Sequence, residues 1–155
     1  MIGRGTWSAL ALVVALALGA AGCSLDAGAA GLGPLAAPTI DRVGAASQLV
    51  ALQAAQSAAL GLWDRLIAGE DVSCAEAIAL PPPLEGRAAT PQAEQVVAQL
   101  GAARSALEQS AARWDMECGY GGVVVGLDAA RVGRDAARQA TAPLQAAQAL
   151  LAAWP

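Results

Sequence analysis

The sequence predicts an all-α fold, a small Ala-rich bundle of three long helices plus one short helix. Three observations lead there. Hydrophobic residues make up 56% of the 155-residue chain while aromatics supply only 3% and Phe is absent, so the interior has to be built from closely spaced Ala and Leu. Ala is the strongest helix former. Apolar residues recur every three or four positions over two long stretches, each bounded by Gly or Pro.

The first long helix is expected from Thr39 or Asp41 to Ala68, with Ala45, Leu49, Leu52, Gln56, Ala59, Trp63 and Leu66 on one stripe and Gly69 as its stop. In "DVSCAEAIALPPP", Ser73 and Glu76 have the spacing of a capping box, which predicts a short helix carrying Cys74 and ending before Pro81. The three prolines that follow act as a stiff extended spacer, since the run is brief and no second Pro motif accompanies it.

The second long helix opens at "TPQAEQ", where Thr90 caps, Pro91 fits the first turn and Glu94 lies at the positive end of the dipole. Its stripe is Ala93, Val97, Leu100, Ala103, Leu107, Ala111, Trp114 and Cys118, and Gly119 ends it. Tyr120-Gly121-Gly122 reads as a turn. "VVV" at 123–125 has no partner run, so it belongs to the loop and the entry of the third helix, which continues to about Trp154 and is broken or kinked at Pro143. "QSAALGLWD" at 56–64 and "QSAARWD" at 109–115 echo one another, a match that two Ala-rich helices also produce by composition.

The N-terminus has a different character. Arg4 is its only charge, an apolar or small stretch runs from Thr6 to Gly22, and small residues close it, which is the pattern of a secretory signal at 1–22. A spanning helix is the competing reading, but the run is short and fades into Gly and Ala. Ala20-Ala21-Gly22-Cys23 resembles the lipobox of bacterial lipoproteins, with Ala20 standing where the family usually has Leu. The resemblance implies cleavage before Cys23, a lipid on its sulfur, and membrane attachment at the periplasmic or cell surface; cleavage by ordinary signal peptidase would instead release a soluble chain. Residues 23–38, rich in Gly, Ala and Pro, then form a tether and 39–155 the helical bundle.

Cysteine counting follows from that resemblance. The chain has Cys23, Cys74 and Cys118, an odd number for an exported protein. If Cys23 carries the lipid, Cys74 and Cys118 remain as one disulfide. Cys74 follows the first long helix and Cys118 ends the second, so their bond brings both C-terminal ends together. The two helices should then run parallel, with 75–90 travelling back along the bundle and the third helix antiparallel. Without the bond an up-down-up arrangement serves equally well.

Chemistry-bearing residues are scarce. His and Lys are absent, which removes imidazole bases and ligands as well as Schiff-base and P-loop lysines. Glu70, Asp71 and Glu76 form an acidic turn without Ca²⁺-loop spacing, and Asp64 and Asp115, each directly after a Trp, face one another only if the helix ends meet. Arg131, Arg134 and Arg138 interleave with Asp128 and Asp135 as a salt-bridged face. A formal charge of −4 with no basic patch argues against nucleic acid.

Trp63, Trp114 and Trp154 are expected at the ends of the core. The functional expectation is a non-enzymatic envelope lipoprotein, without cofactor or metal, presenting its bundle to an unidentified envelope protein or a second copy of itself. The alternative is a small apolar-ligand module with a pocket at Trp63 and Trp114. An enzyme acting through Asp64 or Asp115 is the remaining class.

Overall fold

A computed structural model describes residues 37–119 and 125–155. The signal segment, Cys23, nearly all of the tether, the Tyr120–Gly122 turn and the first two residues of the valine run lie outside the described residues. The helices are α1 (Arg42–Ile67), α2 (Pro91–Gly119), α3 (Leu127–Gln139) and α4 (Thr141–Ala152). Among the described residues there is no strand, only an isolated parallel bridge between Thr39 and Arg87.

The ends of α1 and the start of α2 follow from local chemistry. The Asp41 carboxylate accepts the Gly44 N–H at 2.7 Å and so satisfies one of the donors that a helix start leaves open. At the other end Gly69 adopts φ +81°. Its N–H and that of Glu70 donate to the carbonyls of Leu66 and Arg65, the paired bonds of a Schellman stop. The Thr90 hydroxyl accepts the Ala93 N–H at 3.1 Å, with Pro91 in the first turn, as expected.

The third long helix is two helices in near continuation, α3 and α4, joined through the single residue Ala140. Pro143 has no N–H to bond one turn back, and its ring crowds the carbonyl there, so the break falls just before it.

Tertiary contacts establish the chain path. Trp63 of α1 meets Trp114 of α2, and Cys74 is bonded to Cys118 with Cα atoms 5.5 Å apart, so α1 and α2 are parallel with their C-terminal ends together. Gln56 on α1 donates to the carbonyl of Ala137 and the hydroxyl of Thr141, while Gln92 near the start of α2 donates to the carbonyl of Leu150. The α3–α4 rod therefore runs antiparallel to both. All three rods share one core of Ala, Leu and the two tryptophans.

The predicted stripes are right in phase and too narrow. Ala55 and Leu62 join the buried face of α1, and Val96, Ala106 and Ser110 that of α2, because each helix touches two others and must bury more than one line of residues. Val97, Ala111, Leu66 and Cys118 lie at the half-buried margins.

The short helix is corrected to a single turn. The Ser73 hydroxyl accepts the Ala75 N–H at 3.1 Å, and the Glu76 carboxylate is held chiefly by Arg65, but the helix does not continue past this turn. After the turn, residues 76–85 run back extended along α1 and α2. Ile78 is buried, and Leu80 and Leu84 pack half-buried on the core, even spacings of two and four suited to one side of an extended chain. Gln48 and Arg104 donate to the carbonyls of Pro82 and Pro81, holding the strap to both helices.

The strap ends at the opposite pole from its beginning, beside the start of α1. Ile40 donates to the Arg87 carbonyl at 3.1 Å and Arg87 to that of Pro38 at 2.8 Å. Gly86 makes this approach feasible: its φ is +134°, and a Cβ there would lie 2.6 Å from the Pro38 carbonyl oxygen. Gly86→Ala should therefore lower folding stability by about 1–3 kcal/mol, read as a shift in the urea midpoint at unchanged slope.

Candidate functional site

The chemistry-bearing side chains gather at the pole where α1 and α2 end. Trp63 and Trp114 stack edge to face with ring centroids 5.5 Å apart and an interplanar angle of 79°, a geometry that sets the positive edge of one ring against the other's face. Trp63 is 0% exposed and Trp114 2%, so neither offers surface to a ligand.

Each indole N–H has a partner. Trp63 Nε1 donates to Ser110 Oγ at 2.8 Å, and Ser110 Oγ donates onward to the Gly133 carbonyl at 2.9 Å, a relay joining α1, α2 and α3 inside the core. Ser110 is buried, and this relay satisfies it both as acceptor and as donor. Trp114 Nε1 donates to the Glu76 carbonyl at 2.6 Å.

Gly133 is the second part of the Trp63 seat. A Cβ at this position would lie within 2.7 Å of the indole's six-membered ring, so α3 can lie against Trp63 only with no side chain there. Neither Ser110 nor Gly133 is singled out by periodicity. Ser110 reads as a polar break in an apolar stripe, and Gly133 as a weak point in a helix.

Glu76 ties the pole together a second time. Its carboxylate pairs with the Arg65 guanidinium, whose two terminal nitrogens each reach one of its oxygens. The hydrogen bond from Arg65 holds the Glu76 carboxyl below its usual range despite some opposing desolvation, and the same bond raises the Arg65 guanidinium further. Cys74–Cys118 completes the clamp at the surface.

The remaining sequence candidates fall as follows. Asp64 meets Arg134 at 3.4 Å rather than Asp115, and Asp115 is exposed. Glu70 and Asp71 are exposed, with Glu76 already engaged; among the described residues no cluster of His, Cys, Asp or Glu could hold a metal ion. Arg131 pairs with Asp128 at 3.2 Å, and Arg134 and Arg138 lie within 4.0 Å of Asp135, the salt-bridged face expected. Trp154 packs half-buried on the core. The two "QSAA" segments are not equivalent in space: Ser57 is exposed and bonds its own helix, Ser110 is buried.

Neither tryptophan lines either of two surface depressions. One, of about 120 Å³, lies between the strap and α2 and includes Pro83, Leu84, Val97 and Gly101. It is well below the several hundred Å³ of a typical small-molecule site. The other is an open hollow on the outer face of α1, at Arg42, Val43, Ala46, Ser47 and Val50. The space where a pocket at Trp63 and Trp114 was expected is filled by the rings themselves.

Searches against protein-family models, curated proteins and solved structures return no match to this chain. The arrangement at the pole is therefore read from its own chemistry, which is that of a clamp: stacked rings, satisfied donors and a covalent bridge.

Two outcomes test it. Ser110→Ala, which strands the buried Trp63 N–H, and Gly133→Ala, which forces the ring to move, should each cost about 1–3 kcal/mol, measured by urea unfolding with Trp fluorescence. Because Glu76 titrates lower in the folded than in the unfolded chain, its contribution is full above the ordinary carboxylate pKa and is lost as pH falls through the lowered value. The urea midpoint should drop on acidification through that range, and Glu76→Gln should remove part of that drop.

Proposed function

We propose that this protein is a non-enzymatic lipoprotein of the cell envelope, exported by residues 1–22, anchored through an acylated Cys23, and presenting its helical bundle to a protein partner. The observation that carries the reading is the Cys74–Cys118 bond. Of three cysteines in the chain, two consume one another, which leaves Cys23 as the odd sulfur, directly after Ala20-Ala21-Gly22. A disulfide of this kind also suits an oxidising compartment outside the cytoplasm.

Other features support the same reading. Among the described residues no helix is long and apolar enough to cross a membrane, so in this proposal attachment falls to the lipid. The tether of 23–38 is long enough to hold the bundle clear of the bilayer surface, reaching about 50 Å when fully extended. The absence of His and Lys, the structural use of Glu76 and the Asp64–Arg134 pair favour binding over catalysis.

Intact mass of the protein purified from its native host checks the proposal. The expected species begins at Cys23, carries the added mass of an acylated glyceryl group and lacks two protons at the disulfide. Cys23→Ala should move the protein out of the membrane fraction while Cys74→Ser leaves it there. A free thiol at position 23, or residues 1–22 intact in the mature protein, overturns it.

A further inference from the structure

The outer face of α1 carries neither a charge nor a long polar side chain across most of its length. Opposite the core, Val43, Ser47, Val50, Ala54, Ser57 and Gly61 follow one another at spacings of three, four and seven, all exposed. Val43 is 72% exposed and Val50 63%, the highest values among the large exposed hydrophobics of the described residues. The strip spans about 27 Å of helix, and its small residues would let another helix approach closely. By contrast, the exposed faces of α2 and α3 carry Glu94, Glu108, Asp115, Asp128, Arg131 and Asp135.

Charges at the two ends of this strip identify what fits it. Arg42 is exposed and has no ion-pair partner among the described residues. Asp64 at the far end keeps its carboxylate 57% exposed and uses only Oδ1 on Arg134. Over the 22 positions between them the helix turns to within about 40° of the same direction, so both charges lie on one flank of the strip, about 33 Å apart. A two-fold axis perpendicular to a pair of antiparallel helices keeps each flank on its own side of the seam. Arg42 of one copy then meets Asp64 of the other, twice. A parallel pair exchanges flanks and separates the charges.

We infer that the outer face of α1 is a self-complementary surface on which a second copy of this chain docks antiparallel, with the two-fold axis near Gln53 and Ala54 and Arg42 facing Asp64 of the second copy at each end. The inference rests on the reading of the bundle as a presented binding surface and names one partner for it. The small side chains supply closeness, the valines supply apolar area, and the end charges supply direction. On the opposite flank Arg65 is already committed to Glu76 and does not compete. One helix face is a modest area, so the dimer is reversible and concentration-dependent.

Cysteine cross-linking in the full-length protein, expressed in its host, tests this. Ala54→Cys places a thiol beside its own symmetry mate, and mild oxidation should give several-fold more disulfide-linked homodimer than Ser105→Cys, also an exposed site, on α2. Arg42→Glu or Asp64→Arg in the Ala54→Cys background should lower association by about five- to thirtyfold, the equivalent of two ion pairs at the rim, and combining the two should restore it. Circular dichroism of each variant separates loss of pairing from loss of fold, and Val50→Glu offers a second disruption at an exposed site. Equal cross-linking at 54 and 105, failure of the combined charge reversal to restore pairing, or cross-linking of position 54 only to some other protein overturns the inference. Because the readout does not require the lipid, a dimer that persists after Cys23→Ala tells failure of the anchor from failure of the interface.

Discussion

The seat of Trp63 is the constraint on which the rest of the bundle depends. One side chain on α1 reaches Ser110 on α2 through its N–H and lies flat against the backbone of α3 at Gly133, so a single indole sets the relative height of three helices. Moving any of them by one turn, about 5.4 Å, would leave a buried donor unpaired and push a side chain into the ring. Alanine contacts cannot do this. An interface of Ala against Ala is nearly the same after such a slip, and hydrophobic burial alone distinguishes the two registers weakly.

A parallel pair of helices raises a second requirement. Placing the C-terminal ends of α1 and α2 side by side sets two partial negative charges together. The opening turns of α3 lie at the same pole, as the Asp64–Arg134 and Ser110–Gly133 contacts show, and Arg65 sits in the last turn of α1. Both oppose the repulsion. The return path must then span the length of α2 with few residues, which extended chain achieves at about twice the rise of helix. This is why 76–85 is a strap pinned by Gln48 and Arg104, and why closing its lower end with Cys74–Cys118 is effective: the ring it makes restricts the unfolded chain by about 4 kcal/mol on the loop-entropy estimate.

The features readable in the sequence are those with local causes. The Thr90 cap, the Gly69 stop and the break before Pro143 each depend on residues within one turn, and the core phases of α1 and α2 depend on periodicity. The parallel topology became readable only through the disulfide, one long-range constraint converted into a chain path. The expected helix at 73–80 is a single turn, after which Ile78, Leu80 and Leu84 pack on the core from an extended chain that the prolines from Pro81 onward continue. Ser110 and Gly133 were invisible because their roles exist only once Trp63 is in place. The periodicity fits Trp63 and Trp114 both as core fillers and as the wall of a pocket, and no pattern within either helix decides between those. Their mutual stacking does, because each ring occupies the space beside the other.

An interior made of Ala and Leu has a consequence for the exterior. A helix whose inward side is mostly small can also carry small residues outward without losing helicity, since Ala favours the helix whichever way it faces. On α2 and α3 the outer side is broken up by charges, which hold water and discourage close approach. On α1 it is not, and a smooth strip of Val, Ser, Ala and Gly is left between Arg42 and Asp64. Such a strip repeats the ambiguity of the interior, in that it accepts a neighbouring helix at many heights and in either direction. Inside the bundle that ambiguity is resolved by an indole, a hydroxyl and a missing side chain. Outside it, the charges at the two ends supply the direction, and their placement on one flank makes it antiparallel.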